Sequence, residues 1–202
     1  MAKTAKSSSS SNLFAMIASL VGVSSLAALI LGYTYELTAE PIRQAQAAQE
    51  QQAISAIIGT DFDNNPYQDK ILIPSADKKS KLEFYPARRD GRIKAFAIKG
   101  NSNKAFGGNL ELIVGFDING RIMGYKITKS QETPGLGSKV SEPRFAEQLL
   151  GLEPSSPSFK VKQDGGEVDA VTAATISSRA VLDAIKKAYD SYHNLNSGEK
   201  HE

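Results

Sequence analysis

Between Ser7 and Tyr35 the chain carries no charged residue. Within that run, Leu13 to Tyr33 is apolar enough, and of the right length, to cross a hydrocarbon core of roughly 30 Å as a helix. A cleaved secretory signal would have an apolar core of about 7–15 residues ending at a small-x-small site. This run is longer and exits through Tyr33-Thr34-Tyr35-Glu36, a pattern that suits an interfacial aromatic anchor. The expectation is an uncleaved single-pass helix over residues 13–33. Lys3, Lys6 and the amino terminus precede it, whereas Glu36 and Glu40 follow and Arg43 is the first cation beyond. The positive-inside rule predicts a cytoplasmic tail over residues 1–12, with the serine run flexible, and everything after Tyr35 outside the cytoplasm.

A chain of 202 residues leaves room for about one further domain. Its formal net charge of +2 carries no basic stripe, so nucleic acid is not an expected partner. There is no Cys, which excludes disulfides, iron–sulfur clusters and thiolate zinc within this chain. The two histidines, His193 and His201, stand near the C-terminal end of the sequence, so neither a Ser-His pair nor a His-based metal centre is expected. Any redox chemistry therefore calls for an organic cofactor.

Residues 34–60 read as a helical stalk. Leu37 to Ile58 has helical spacing, opening at Thr38 ahead of Pro41 and closing at Gly59, with one apolar patch at Ile54, Ile57 and Ile58. Beyond a turn-rich stretch from Asp61 to Tyr67, strand signals dominate. Leu82–Ala87 and Arg92–Lys99 flank Asp90-Gly91 as one hairpin. In a second, Leu110, Leu112, Val114, Phe116 and Ile118 alternate with a more polar set. Asn119-Gly120 is expected to form a type I′ turn there, and Arg121–Lys129 returns as the partner strand. Arg144–Leu150 reads as a short helix and Ile176–Leu195 as a longer one, with Val181, Ala184, Ile185, Ala188 and Tyr192 on one stripe. The expected fold is α+β: an antiparallel sheet of hairpins with packed helices, over residues 61–198, and a short tail at 199–202.

Two segments suggest chemistry. Glu132-Thr133-Pro134-Gly135-Leu136-Gly137 is a bent loop that can bring backbone against a flat ligand, although the same residues would also serve as a tight connection. Asp169 to Ser178 reads DAVTAATISS: Thr172 or Thr175 can cap the final helix, and the small Ala173 and Ala174 let another group come close. A helix start of this kind offers free N–H donors to a phosphate, and can equally be a capped start with no ligand.

Together the two segments resemble those of the flavin-binding subunits of Rnf-type electron-transport complexes and Na⁺-translocating NADH:quinone reductases. The run from Val168 to Ser178 resembles the family's FMN-attachment signature, Glu132–Gly137 its ETPGLG loop, and Phe106-Gly107-Gly108 its aromatic-Gly-Gly entry. The compact length resembles the G subunits of the Rnf-type complexes more than the longer C subunits of the quinone reductases. Two positions depart from the pattern. Ala173 replaces the commoner Gly, expected to tighten the approach to the ligand, and Ser130 stands where relatives often have His.

The resemblance implies FMN joined through its phosphate to Thr175, with Asp169, Thr172 and Ala174 shaping that segment. It implies a ring pocket from Glu132, Thr133, Gly135 and Leu136. It further implies other members of a membrane complex as partners, a separate flavin transferase for maturation, and electron relay coupled to Na⁺ or H⁺ movement. A structural subunit that needs no flavin, and a free-standing anchored flavoprotein reductase, are the alternatives.

Overall fold

The computed structural model of the protein describes residues 8–78 and 80–198. Helix α1 spans Ser8–Ile58 without interruption. The serine run, expected as a flexible tail, joins it from Ser8, while Lys3 and Lys6 lie outside the described residues. The expected opening of a separate stalk helix at Thr38 does not occur either, because Pro41 lies inside α1. Proline lacks an N–H and so cannot donate to the carbonyl four residues earlier. In the turns before Pro41, Thr38 Oγ1 donates to the Thr34 carbonyl and Thr34 Oγ1 to that of Ile30, each at 2.8 Å. From Leu13 the helix is long and apolar enough to cross a membrane, and its large apolar side chains up to Tyr35 are exposed.

From Gln49 onward the described residues form a compact unit of their own. Five strands pair in sequence order as an antiparallel meander: β1 (Ile71–Pro74), β2 (Lys81–Arg89), β3 (Arg92–Ala105), β4 (Gly108–Asp117) and β5 (Ile122–Ser130). The two expected hairpins are present, β3 runs beyond Lys99, and β1 is a strand the sequence did not announce. Its four residues are too few to show alternation.

The turn chemistry is redistributed between the hairpins. Asp90 and Gly91 both take positive φ, 53° and 71°, and link the paired Arg89 and Arg92 as a two-residue I′-type turn. At the β4–β5 turn only Gly120 is left-handed, at 78°, and Asn119 is not. There Gly120 N–H donates to the Asp117 carbonyl at 3.0 Å, and Asp117 Oδ1 accepts the N–H groups of Asn119 and Arg121 at 2.8 Å. Asp117 thus turns the chain one residue early, giving a three-residue loop ending in a left-handed glycine. Ile118, expected on the apolar face, is carried into that loop and is 60 % exposed.

One sheet face buries Phe84, Phe96, Leu110, Leu112, Val114 and Phe116 under helix α3 (Thr175–Gly198). Val181, Ala184, Ile185 and Ala188 of α3 are fully buried, and the Tyr192 ring lies tilted against Phe96 at 4.0 Å between ring centres. Each large side chain so buried contributes about 1.5–3 kcal/mol. The opposite face buries Tyr85, Ala87, Ala95, Ala97 and Ile113 under Ala53, Ile54 and Ile58 of α1. The last turns of the expected stalk are therefore a layer of the fold. Glu50 supports that docking through an ion pair with Lys99 whose side chains are 18 % and 24 % exposed. Short helix α2 (Pro143–Ala146), continued by a 3-10 turn at Glu147–Leu149, fills the expected place and buries Phe145 and Leu149.

Candidate functional site

A cavity of about 380 Å³ opens where three segments meet: the β3–β4 turn, the loop after β5 and the first turn of α3. Phe106, Glu132, Thr133, Leu136, Gly137, Ala173, Ala174, Thr175, Ile176 and Ser177 line it.

Local bonding explains each wall. Ser130 Oγ accepts the Glu132 N–H at 3.1 Å, so this serine serves as a turn-forming residue. Thr133 O then accepts from Leu136 N at 3.2 Å, and Ser138 Oγ accepts from Gly135 N at 2.9 Å, curling the loop around a left-handed Gly135 at φ 77°. Before α3, the Ala174 N–H donates to the Val171 carbonyl at 2.9 Å, with Ala173 at φ 62° as the residue between. Positive φ at that third position is the pattern of a type II turn, which favours glycine. Ala173 also lines the cavity, so this backbone reason for glycine stands beside its expected effect on ligand approach.

Neither Thr172 nor Thr175 caps α3. Thr175 is its first residue, and the Ala174 carbonyl accepts the first helical bond from Ser178 N at 3.0 Å. The buried Ser178 Oγ accepts the Val171 N–H and donates to the Ala174 carbonyl, both at 3.0 Å, so the turn is closed from inside the helix. The N–H groups of Thr175, Ile176 and Ser177 donate to no partner among the described residues. Three free donors at the head of a 24-residue helix, beside a hydroxyl, suit an anionic group. Phe106, Leu136 and Ile176 stand around the cavity 72 %, 48 % and 48 % exposed, an apolar rim that suits a flat ring.

Of the residues singled out from sequence, Glu132, Thr133, Leu136, Gly137, Ala173, Ala174 and Thr175 share this cavity. Asp169 and Thr172 line a second cavity of about 200 Å³ with Lys139, Glu142, Arg144 and Gln148. Asp169 is pinned there, its N–H donating to Gln148 Oε1 at 2.8 Å and its carboxylate meeting Lys162 at 2.8 Å. Gly135 lines neither, and a side chain at that position would meet open space. Phe106, Ile176 and Ser177 line the first cavity as well, though the sequence did not mark them as pocket residues. The aromatic residue ahead of Gly107-Gly108 was the signal available for the first of them.

Residues 106–190 match the FMN-binding domain family. The chain is 34 % identical over 181 residues to the G subunit of an ion-translocating oxidoreductase complex from Vibrio cholerae, covering 85 % of this chain and 86 % of that one. Its counterpart of the same name from Haemophilus influenzae is 32 % identical over 170 residues, covering 81 % and 82 % of the two chains. Among solved structures, Shewanella oneidensis NqrC shares the fold with a TM-score of 0.59 at 15 % identity, over 79 % of this chain and 100 % of that one. The C subunit of the Na⁺-translocating NADH-quinone reductase from Parabacteroides distasonis shares it at 0.53 and 18 %, over 75 % and 94 %.

Proposed function

The chain belongs to the family of G subunits of ion-translocating oxidoreductase complexes, and on that premise we propose that it is a membrane-anchored flavoprotein with FMN esterified through its phosphate to Thr175. In this reading it relays electrons inside a membrane assembly of several proteins that couples transfer between reduced ferredoxin and NAD⁺ to movement of Na⁺ or H⁺. The observation that carries it is the single cavity joining the Glu132–Gly137 loop to the head of α3.

The residues fit FMN in kind. Thr175 contributes the hydroxyl for the ester, and the adjacent free N–H groups and positive helix end favour the phosphodiester's remaining negative charge. The apolar rim of Phe106, Leu136 and Ile176 suits the ring. FMN, when bound, supplies the electron-accepting and electron-donating chemistry; the chain supplies position and electrostatics. Covalent attachment prevents loss of the flavin outside the cytoplasm, and maturation there requires a separate flavin transferase. The membrane stretch from Leu13 to Tyr33 contains no ionisable side chain other than Tyr33 at its edge, so ion passage belongs to other members of the assembly.

The test is intact-mass and peptide analysis of the full chain produced with a flavin transferase. One FMN less water is expected on the peptide that contains Thr175, and Thr175→Ala should lose it while keeping the wild-type circular dichroism spectrum. Flavin on Thr172, or a wild-type chain without any flavin, would refute the assignment and favour a structural role.

A further inference from the structure

The Glu132 carboxylate bridges the β3–β4 turn and its own loop, beside the head of α3. Its Oε1 accepts a hydrogen bond from the backbone N–H of Gly107 in the β3–β4 turn, at 3.4 Å. Its Oε2 lies directly against Gly137: a Cβ built there would stand 2.0 Å from that oxygen and 2.9 Å from Ser177 Oγ of α3. The backbones are as close. A Cβ at Gly107 would stand 2.1 Å from the Gln131 carbonyl oxygen and 2.9 Å from Glu132 N. Two residues without side chains therefore allow one carboxylate to touch both loops, and Ser130 fixes where that carboxylate starts by holding the Glu132 N–H.

We propose that Glu132 is a positioning residue, fastening the Phe106–Gly107 turn to the Glu132–Gly137 loop and so holding Phe106 at the mouth of the cavity. Phe106 is 72 % exposed, so packing into the core does not hold it there. A charged acceptor strengthens a bond that its length alone would leave weak. The functional meaning of the clamp rests on the flavin reading, since a ring in the cavity takes the Phe106 turn as one of its walls. The clamp itself is built from this chain alone and is measurable without flavin.

Hydrogen exchange of the peptide spanning Phe106 and Gly107 is followed in the detergent-solubilised full chain, made with and without a flavin transferase. In flavin-free protein, Glu132→Ala is expected to speed exchange of the Gly107 amide roughly fivefold, the loss of one hydrogen bond. Glu132→Gln, whose amide oxygen still accepts, should restore protection. Gly137→Ala keeps Glu132 but pushes its carboxylate away, and should mimic Glu132→Ala even if that variant folds poorly. In flavin-loaded protein, Glu132→Ala should alter the flavin absorption spectrum. Glu132→Gln should leave the spectrum near wild type and raise the reduction potential, because a negative charge has been removed. Unchanged Gly107 exchange in both Glu132→Ala and Gly137→Ala overturns the proposal. Altered exchange in a wild-type background that takes up no flavin supports the clamp and overturns the flavin reading instead.

Discussion

Ile57 of α1 fills the space that a side chain at Gly115 of β4 would need: a Cβ there would lie 2.3 Å from Ile57 Cγ2. Gly124 pairs directly with Gly115 across the β4–β5 ladder, and its Cβ position lies 3.5 Å from the same methyl. The two glycines make a notch in the second sheet face, and the end of α1 sits in it. Gly115→Val should therefore lower the unfolding free energy by about 1–3 kcal/mol, since overpacking forces either helix or strand to move. Gly124→Ala is the control, because 3.5 Å is ordinary contact and little change is expected. Chemical unfolding of the full chain in detergent reads both.

Ala173 holds a left-handed conformation at φ 62° that costs a residue with a Cβ about 1–2 kcal/mol. Ala173→Gly should relieve that strain and give a net stabilisation of about 0.5–1 kcal/mol after the greater flexibility of glycine in the unfolded chain. Ala173→Val should destabilise. Paired thermal unfolding curves check the order Gly above Ala above Val.

Asp183 on α3 accepts from Ser102 Oγ and Lys104 Nζ at 2.7 Å and meets Lys187 Nζ at 2.8 Å. Burial pushes its carboxyl up, but the two ammonium groups and the hydroxyl outweigh that and hold it below its ordinary value of 3.8. A carboxylate depressed by folding stabilises above its unfolded value and loses that contribution as pH falls through the folded one. Asp183→Asn should thus destabilise at pH 7, and its deficit should shrink below about pH 3.8. Urea unfolding of both proteins at neutral and acid pH measures the difference, and a deficit independent of pH would show that the carboxylate charge is not what matters.

The charge difference across residues 13–33 sets the expected orientation. A reporter active only outside the cytoplasm, fused after Glu202, should be active. A reporter active only in the cytoplasm should be silent at the same position, and the reverse result would invert the topology.

The sequence carried the periodic elements. Alternation over Leu110–Phe116 and the stripe of Val181, Ala184, Ile185 and Ala188 predicted a strand and a helix that the structure contains, with those residues buried. These signals survive because burial on one face repeats at the period of the backbone itself. It also carried the uncharged run of α1 and the two motifs behind the family resemblance. The turn types were not legible: Asp-Gly and Asn-Gly look alike in sequence, and Asp117 decided between them by accepting two N–H groups ahead of Gly120. Nor was the role of Ile54, Ile57 and Ile58, because a patch at the end of a helix does not say what covers it. Only the sheet, with Gly115 and Gly124 side by side, supplied the complementary surface. The cavity likewise belongs to tertiary structure. Phe106, Glu132 and Thr175 become neighbours only when the meander and α3 bring three loop ends together, a proximity that no local propensity encodes.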